Sequence, residues 1–180
     1  AQRVQHGVFG YTMATDEYYE AVQGWFERRH GWRPEREWFV ITPGVVFALA
    51  LAVNAFTQPG DSVIFQPPVY YPFRLMIQDN GRKMATSPLR YEGGRYTMDF
   101  EGFERELERT GAKLFILCNP HNPVGRAWTE DELRRIGDIC LAHNVVVVAD
   151  EIHADFARAG HRHVPYASLG QRYSDSAVIC

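Results

Sequence analysis

Short, nearly continuous apolar runs recur along the chain, separated by stretches with helical spacing. Runs at 62–65, 113–118 and 145–149 predict strands, and the last, apolar throughout, reads as a strand buried on both faces. A β-prone run at 38–42 and others at 83–88 and 177–180 predict further strands. Helices are predicted at 16–30, 45–57, 71–79, 100–109 and 130–143. The first of these has Thr15 as N-cap, Asp16 and Glu17 at the positive end of the dipole, and Gly31 just past its end. Its apolar face is read as Tyr18, Val22, Trp25 and Phe26. Thr129 and Glu132 have capping-box spacing, and Asn144 suits a left-handed position after that helix. Strands alternating with helices predict an α/β sheet with helices on both faces.

Composition narrows the class. The 180 residues are 46% hydrophobic and 23% charged, enough for one sizeable domain with a real core. A net charge of -3 argues against a nucleic-acid surface or an anionic-membrane surface. No apolar run reaches the roughly 18 residues that predict a transmembrane helix. Cys118, Cys140 and Cys180 are an odd set without metal-ligand spacing, which predicts buried thiols in a reducing, cytoplasmic setting. The first residues lack the apolar core of a signal peptide. The last four read as the interior of a strand, so a piece of a longer protein is expected.

In open α/β sheets, ligands gather at the carboxyl ends of strands. Three such ends carry unusual residues. Pro43-Gly44-Val45-Val46 opens a helix, as either a plain turn or a place for an anion at a helix N-terminus. Asn119-Pro120-His121-Asn122-Pro123 holds two Asn-Pro dipeptides, as either a rigid loop or a mount for two side-chain amides. Asp150 follows a fully apolar strand, where a carboxylate needs a cation or a donor. It reads either as a cap or ion-pair partner, or as the counter-charge for a protonated ring nitrogen.

The runs Cys118 to Arg126, Trp128 to Leu133 and Asp150 to Asp155 resemble the fold-type I pyridoxal-phosphate (PLP) enzymes of the class I/II aminotransferase superfamily. They are most similar to the cystathionine β-lyases of MalY/PatB type. Phe9-Gly10-Tyr11, Thr42 to Val46 and Gln66 to Phe73 fit the same group. The resemblance implies a three-layer α/β/α fold with a mostly parallel central sheet. Residues 1–15 would be an N-terminal arm, and 16–180 part of the PLP-binding large domain. Asn122 would bond the O3′ oxygen of PLP, and Asp150 would pair with the pyridinium nitrogen. His153 stands where many relatives place a Tyr near O3′. Tyr70 would stack on the ring, and the backbone N–H groups of Val45 and Val46 would hold the phosphate. Many relatives have a Ser or Thr hydroxyl there. Tyr11 would reach the phosphate of a neighbouring subunit, which implies a homodimer. His121, His161 and His163 are expected to be solvated loop residues.

The family's covalent anchor is a Lys in a loop beyond a strand. The chain holds 17 Arg and only Lys83 and Lys113, and neither matches that context. The anchor is therefore expected beyond Cys180, together with a C-terminal domain whose Arg binds the substrate carboxylate. The implied reaction is α,β-elimination of cystathionine or a similar sulfur amino acid. An aminotransferase would use the same residues. A sensor domain of an aminotransferase-like transcriptional regulator is a further alternative. A nicotinamide-binding domain is disfavoured, because no G-x-G-x-x-G follows a strand.

Overall fold

A five-stranded sheet, parallel at every pairing, runs through the centre of residues 42–180. The structure is a computed structural model describing residues 1–180, which divide into two units, 1–41 and 42–180. The first unit holds α1 (Gln2–His6) and α2 (Asp16–His30). The second begins with α3 (Val45–Phe56), β1 (Ser62–Phe65), α4 (Pro72–Asp79) and β2 (Lys83–Thr86). A hairpin of β3 (Arg90–Glu92) and β4 (Arg95–Thr97) follows, turning on Gly93 and Gly94, both at positive φ as a tight primed turn requires. Then come α5 (Phe100–Thr110), β5 (Leu114–Cys118), α6 (Glu130–Ala142), β6 (Val146–Asp150), α7 (Gln171–Ser174) and β7 (Ala177–Ile179). The sheet order is β2-β1-β5-β6-β7.

Alternation along the central strands builds two cores. Val63, Phe65, Leu114, Ile116 and Val148 pack with Leu49 and Val53 of α3 and Phe73 and Ile77 of α4. Ile64, Phe115, Leu117, Val147 and Ala149 pack with Phe103 and Leu107 of α5 and Leu133 and Ile136 of α6. Fully burying each such side chain stabilises the fold by roughly 1.5–3 kcal/mol. The result is the expected three-layer α/β/α arrangement, because strands apolar on both faces need helices on both faces. No helix is long and apolar enough to cross a membrane.

Local signals act as read at several places. Thr129 and Glu132 form a reciprocal capping box on α6, and Asn144 takes a left-handed φ of 55°. Two expectations fail. Residues 38–42 form no strand: a 3-10 turn occupies Arg36–Trp38, and Val40 and Ile41 are exposed. Their β propensity finds no edge to pair with, and propensity without a partner does not make a strand. In α2 the buried residues include Tyr19, Gln23 and His30, whereas Tyr18 and Trp25 are exposed. Polar anchors choose that face. The Arg36 guanidinium lies 3.2 Å over the Tyr19 ring, and the Gln23 amide donates to the Pro34 carbonyl at 2.7 Å.

Gly137 of α6 sits where a Cβ would come within 2.7 Å of the Tyr166 hydroxyl and 2.9 Å of the Tyr173 ring, both fully buried. Gly137→Val is expected to destabilise the fold by about 2–3 kcal/mol through overpacking. Urea unfolding at constant pH checks this; an unchanged midpoint would mean the two tyrosines yield easily.

Candidate functional site

The carboxyl ends of β5, β6 and β7 form one continuous edge. Cys118 and Asp150 are register partners, and the Asn119 N–H donates to the Asp150 carbonyl at 2.9 Å. On the other side of β6, the Cys180 N–H donates to the Ala149 carbonyl and the Glu151 N–H to the Cys180 carbonyl, both at 2.8 Å. Val148 faces α3 and α4, so Asp150, two residues on, points to that same side. Cys118 belongs to that face, and Val45, Tyr70 and Cys180 pack against it. The fold therefore brings Val45, Tyr70 and Asp150 to one side of one edge.

Asp150 is only 5% exposed. Its carboxylate accepts one hydrogen bond, from the Ile152 N–H at 3.3 Å. Burial raises its pKa; the Ile152 N–H and the nearby His153 pull the other way. Of the two structural roles open to such a residue, the Ile152 N–H bond is a local cap, and an ion pair with an Arg is not built. No Arg or Lys pairs with the carboxylate, and a protonated ring nitrogen is the kind of partner that would satisfy it. Around it the thiols stay protonated: burial pushes both Cys118 and Cys180 up to about 12, with the Asp150 charge adding to the effect.

The two Asn-Pro dipeptides have different tasks. Asn119 is fully buried and structural, so of the two side-chain amides it takes the rigid-loop role. Its amide donates to the Val164 carbonyl at 3.3 Å and accepts the Trp128 N–H at 3.1 Å. The Trp128 indole then donates to the Cys118 carbonyl at 3.0 Å. Asn122 is half-buried, and its backbone N–H donates to the Cys118 sulfur at 3.3 Å. Its side-chain amide makes no hydrogen bond within the chain, so it is available to a ligand oxygen. Arg126 holds the far side of this loop by a bidentate pair with Glu132 at 2.9 and 3.0 Å.

At the start of α3 the N-cap is Gly44, without a side-chain cap and without an acidic residue in the first turn. The first intrahelical bond there runs from the Ala48 N–H to the Gly44 carbonyl. The N–H groups of Val45 and Val46 are thus left for an anion or solvent, as at any uncapped helix start. Tyr70 is half-buried with its ring edge-on to Phe73. His153 is half-buried beside Phe156. Tyr11 is fully exposed in the first unit. Lys83 opens β2 and Lys113 directly precedes β5. In a parallel sheet both lie at the amino edge, opposite the site.

Two histidines depart from expectation. His161 is exposed, but His121 is 3% and His163 1% exposed. The His121 ring meets the Gln66 carbonyl at 3.3 Å and the Trp128 ring edge-on, and burial pulls its pKa down to about 4. His163 pairs with Glu151 at 3.0 Å in full burial. Nothing local marks these residues as interior, because the groups that bury them come from other strands and loops.

The family model "Aminotransferase class I and II" matches residues 3–180. The chain is 49% identical over 179 residues to cystathionine beta-lyase PatB of Bacillus subtilis, covering 99% of this chain and 46% of that protein. It superposes on cystalysin of Treponema denticola, a structure containing a pyridoxal 5′-phosphate cofactor, with a TM-score of 0.95 and 39% identity, covering 99% of this chain and 45% of that one. The PLP-bound C-S lyase of Staphylococcus hominis gives a TM-score of 0.94 and 34% identity, covering 99% and 46%. The chain thus spans about half the length of the relatives it matches.

Two pH effects of opposite sign follow. Asp150 has a folded pKa above its unfolded one, so the stability it contributes at low pH is lost as pH rises through the folded value. Without cofactor, Asp150→Asn is expected to raise the urea midpoint at pH 8 but not below about pH 4; an equal midpoint at pH 8 would show that the carboxylate is adequately solvated. His121 has a folded pKa below its unfolded one, so its contribution is whole above about pH 6.5 and is lost as pH falls towards 4. His121→Phe should flatten that decline, which a series of midpoints from pH 7 to 4 would record.

Proposed function

We propose, for a chain that belongs to the aminotransferase class I and II family, that this carboxyl edge binds pyridoxal 5′-phosphate in a carbon–sulfur β-lyase. The reaction would be α,β-elimination of cystathionine or a similar sulfur amino acid to a thiol, pyruvate and ammonia. The observation that carries the cofactor reading is the buried Asp150 carboxylate, which has one backbone donor and no Arg or Lys partner. The lyase reading rests on 49% identity to a cystathionine beta-lyase across 99% of the chain.

When bound, PLP supplies an electron sink for the pair left on the substrate α-carbon. The chain's own residues prepare for that. Asp150 holds a proton on the ring nitrogen by accepting its hydrogen bond, which also relieves its own desolvation. The Asn122 amide donates to the O3′ oxygen. The free N–H groups of Val45 and Val46, at the positive end of α3, bind the phosphate. No Ser or Thr hydroxyl stands in that first turn, so phosphate binding leans on backbone. Tyr70 offers an aromatic face to the ring, and His153 supports the Asp150 charge from the side. In this reading residues 16–180 are part of the PLP-binding domain. Residues 1–15 are an arm that carries Tyr11 to the phosphate site of a second copy in a homodimer. The base that removes the α-proton is a Lys outside residues 1–180, since Lys83 and Lys113 lie at the opposite edge.

The family name also covers transaminases, which would use the same residues. The two activities separate in one assay of the full-length protein with cystathionine. A lyase releases thiol and pyruvate continuously, without a keto acid. A transaminase leaves pyridoxamine phosphate and needs a keto acid to recover. Continuous release is expected, and its absence would remove the lyase reading. Asp150→Ala should cut the rate roughly 10²-fold or more. Asn122→Ala should shift the absorbance of bound cofactor, and an unchanged spectrum would count against the O3′ contact.

A further inference from the structure

One buried pair next to the site takes no part in the chemistry above. Glu151 follows Asp150 directly, and its side chain and that of His163 are 2% and 0% exposed. One Glu151 oxygen meets the His163 Nε2 at 3.0 Å, and the other accepts the Tyr166 N–H at 2.7 Å. Tyr166 belongs to the core on the α5 and α6 side of the sheet. Glu151 therefore points to the face opposite Asp150, as alternation along a strand requires. The same loop makes a second tie, since the Val164 carbonyl accepts the Asn119 amide at 3.3 Å. Residues 163–166 are thus bonded to the residue after Asp150 on β6 and to the residue after Cys118 on β5.

We propose that the Glu151–His163 pair is a positioning device that holds the Asp150 carboxylate on the α3/α4 face of the sheet edge. Past Ala149 the strand is ending, and its ladder on the β7 side closes with the Glu151 N–H on the Cys180 carbonyl. The chain then turns, with the Ala154 N–H on the Glu151 carbonyl. Rotation of the 150–151 backbone would swing both side chains at once. Anchoring Glu151 by both oxygens in the far core blocks that rotation, and so fixes where Asp150 points. Removing either partner of a buried pair leaves the other unsatisfied, so the lock is intolerant of loss. Held in the α5/α6 core, away from the α3/α4 face, Glu151 and His163 would act only through Asp150.

The inference rests on the reading that Asp150 meets the ring nitrogen of PLP, and the test separates the two. The full-length protein, stripped of cofactor, is titrated with PLP and with the analogue carrying C–H in place of the ring nitrogen. The readout is the ratio of the two dissociation constants. The unaltered protein should prefer PLP; no preference would overturn the Asp150 contact and the inference with it. In Glu151→Ala and His163→Ala the preference should fall roughly tenfold, the size of one misaligned charge-assisted hydrogen bond. Glu151→Gln, which still accepts the Tyr166 N–H, should retain more of the preference than Glu151→Ala and covers the case in which the alanine variants do not fold. If both constants weaken equally and the preference persists, or if neither changes, the pair is only a structural contact and the proposal fails.

Discussion

Two registered parallel strands, each buried on both faces, impose a strict alternation on everything at their carboxyl ends. Cys118 lies opposite Asp150 in that register. The apolar residues before them determine which face each must point to, because a one-residue slip would turn Leu114, Ile116 and Val148 into the wrong core. The packing of the strand before it therefore sends Asp150 to the α3/α4 face, and the anchored Glu151 beyond it holds the strand end there. The same alternation sends Glu151 to the opposite core, where His163 and the Tyr166 N–H receive it.

That arrangement is unfavourable for the fold by itself. A carboxylate with one long hydrogen bond and almost no exposure is desolvated with only partial compensation, from the Ile152 N–H and His153. The Cys118 and Cys180 thiols beside it resist ionisation and add no charge of their own. Sites of this kind exchange stability for a strong preference in what they bind. The open N–H groups at the start of α3 and the unengaged amide of Asn122 extend the pattern. Each is a polar group left unpaired, whereas Asn119, Trp128 and Arg126 find partners around the loop between β5 and α6.

Much of this was legible in the sequence because local chemistry dictates it. Apolar runs at 62–65 and 145–149 could only be buried strands, Thr129 and Glu132 could cap each other within one turn, and Asn144 could take a left-handed φ. Asp150 stood out because a charge after an apolar run needs an explanation. Features that depend on distant partners were not legible. Residues 38–42 have strand propensity but no neighbouring edge, and the buried side of α2 is set by Arg36 and Pro34. Asn119 and Asn122 look alike in sequence, and only contacts with Trp128 and Val164 make the first structural. His163 is separated from Glu151 by a loop with no periodic signal, so its burial emerges only once the chain folds back.

In the proposed cofactor site the sheet aims Asp150 at a protonated ring nitrogen. The most direct measurement is the distance between the Asp150 carboxylate and the ring nitrogen in a crystal structure of the full-length protein with PLP bound. A separation of about 2.7–2.9 Å is expected, that of a charge-assisted N–H···O bond, with the ring on the α3/α4 side of the sheet. A ring nitrogen facing solvent or another residue, with Asp150 beyond hydrogen-bonding reach, would contradict it.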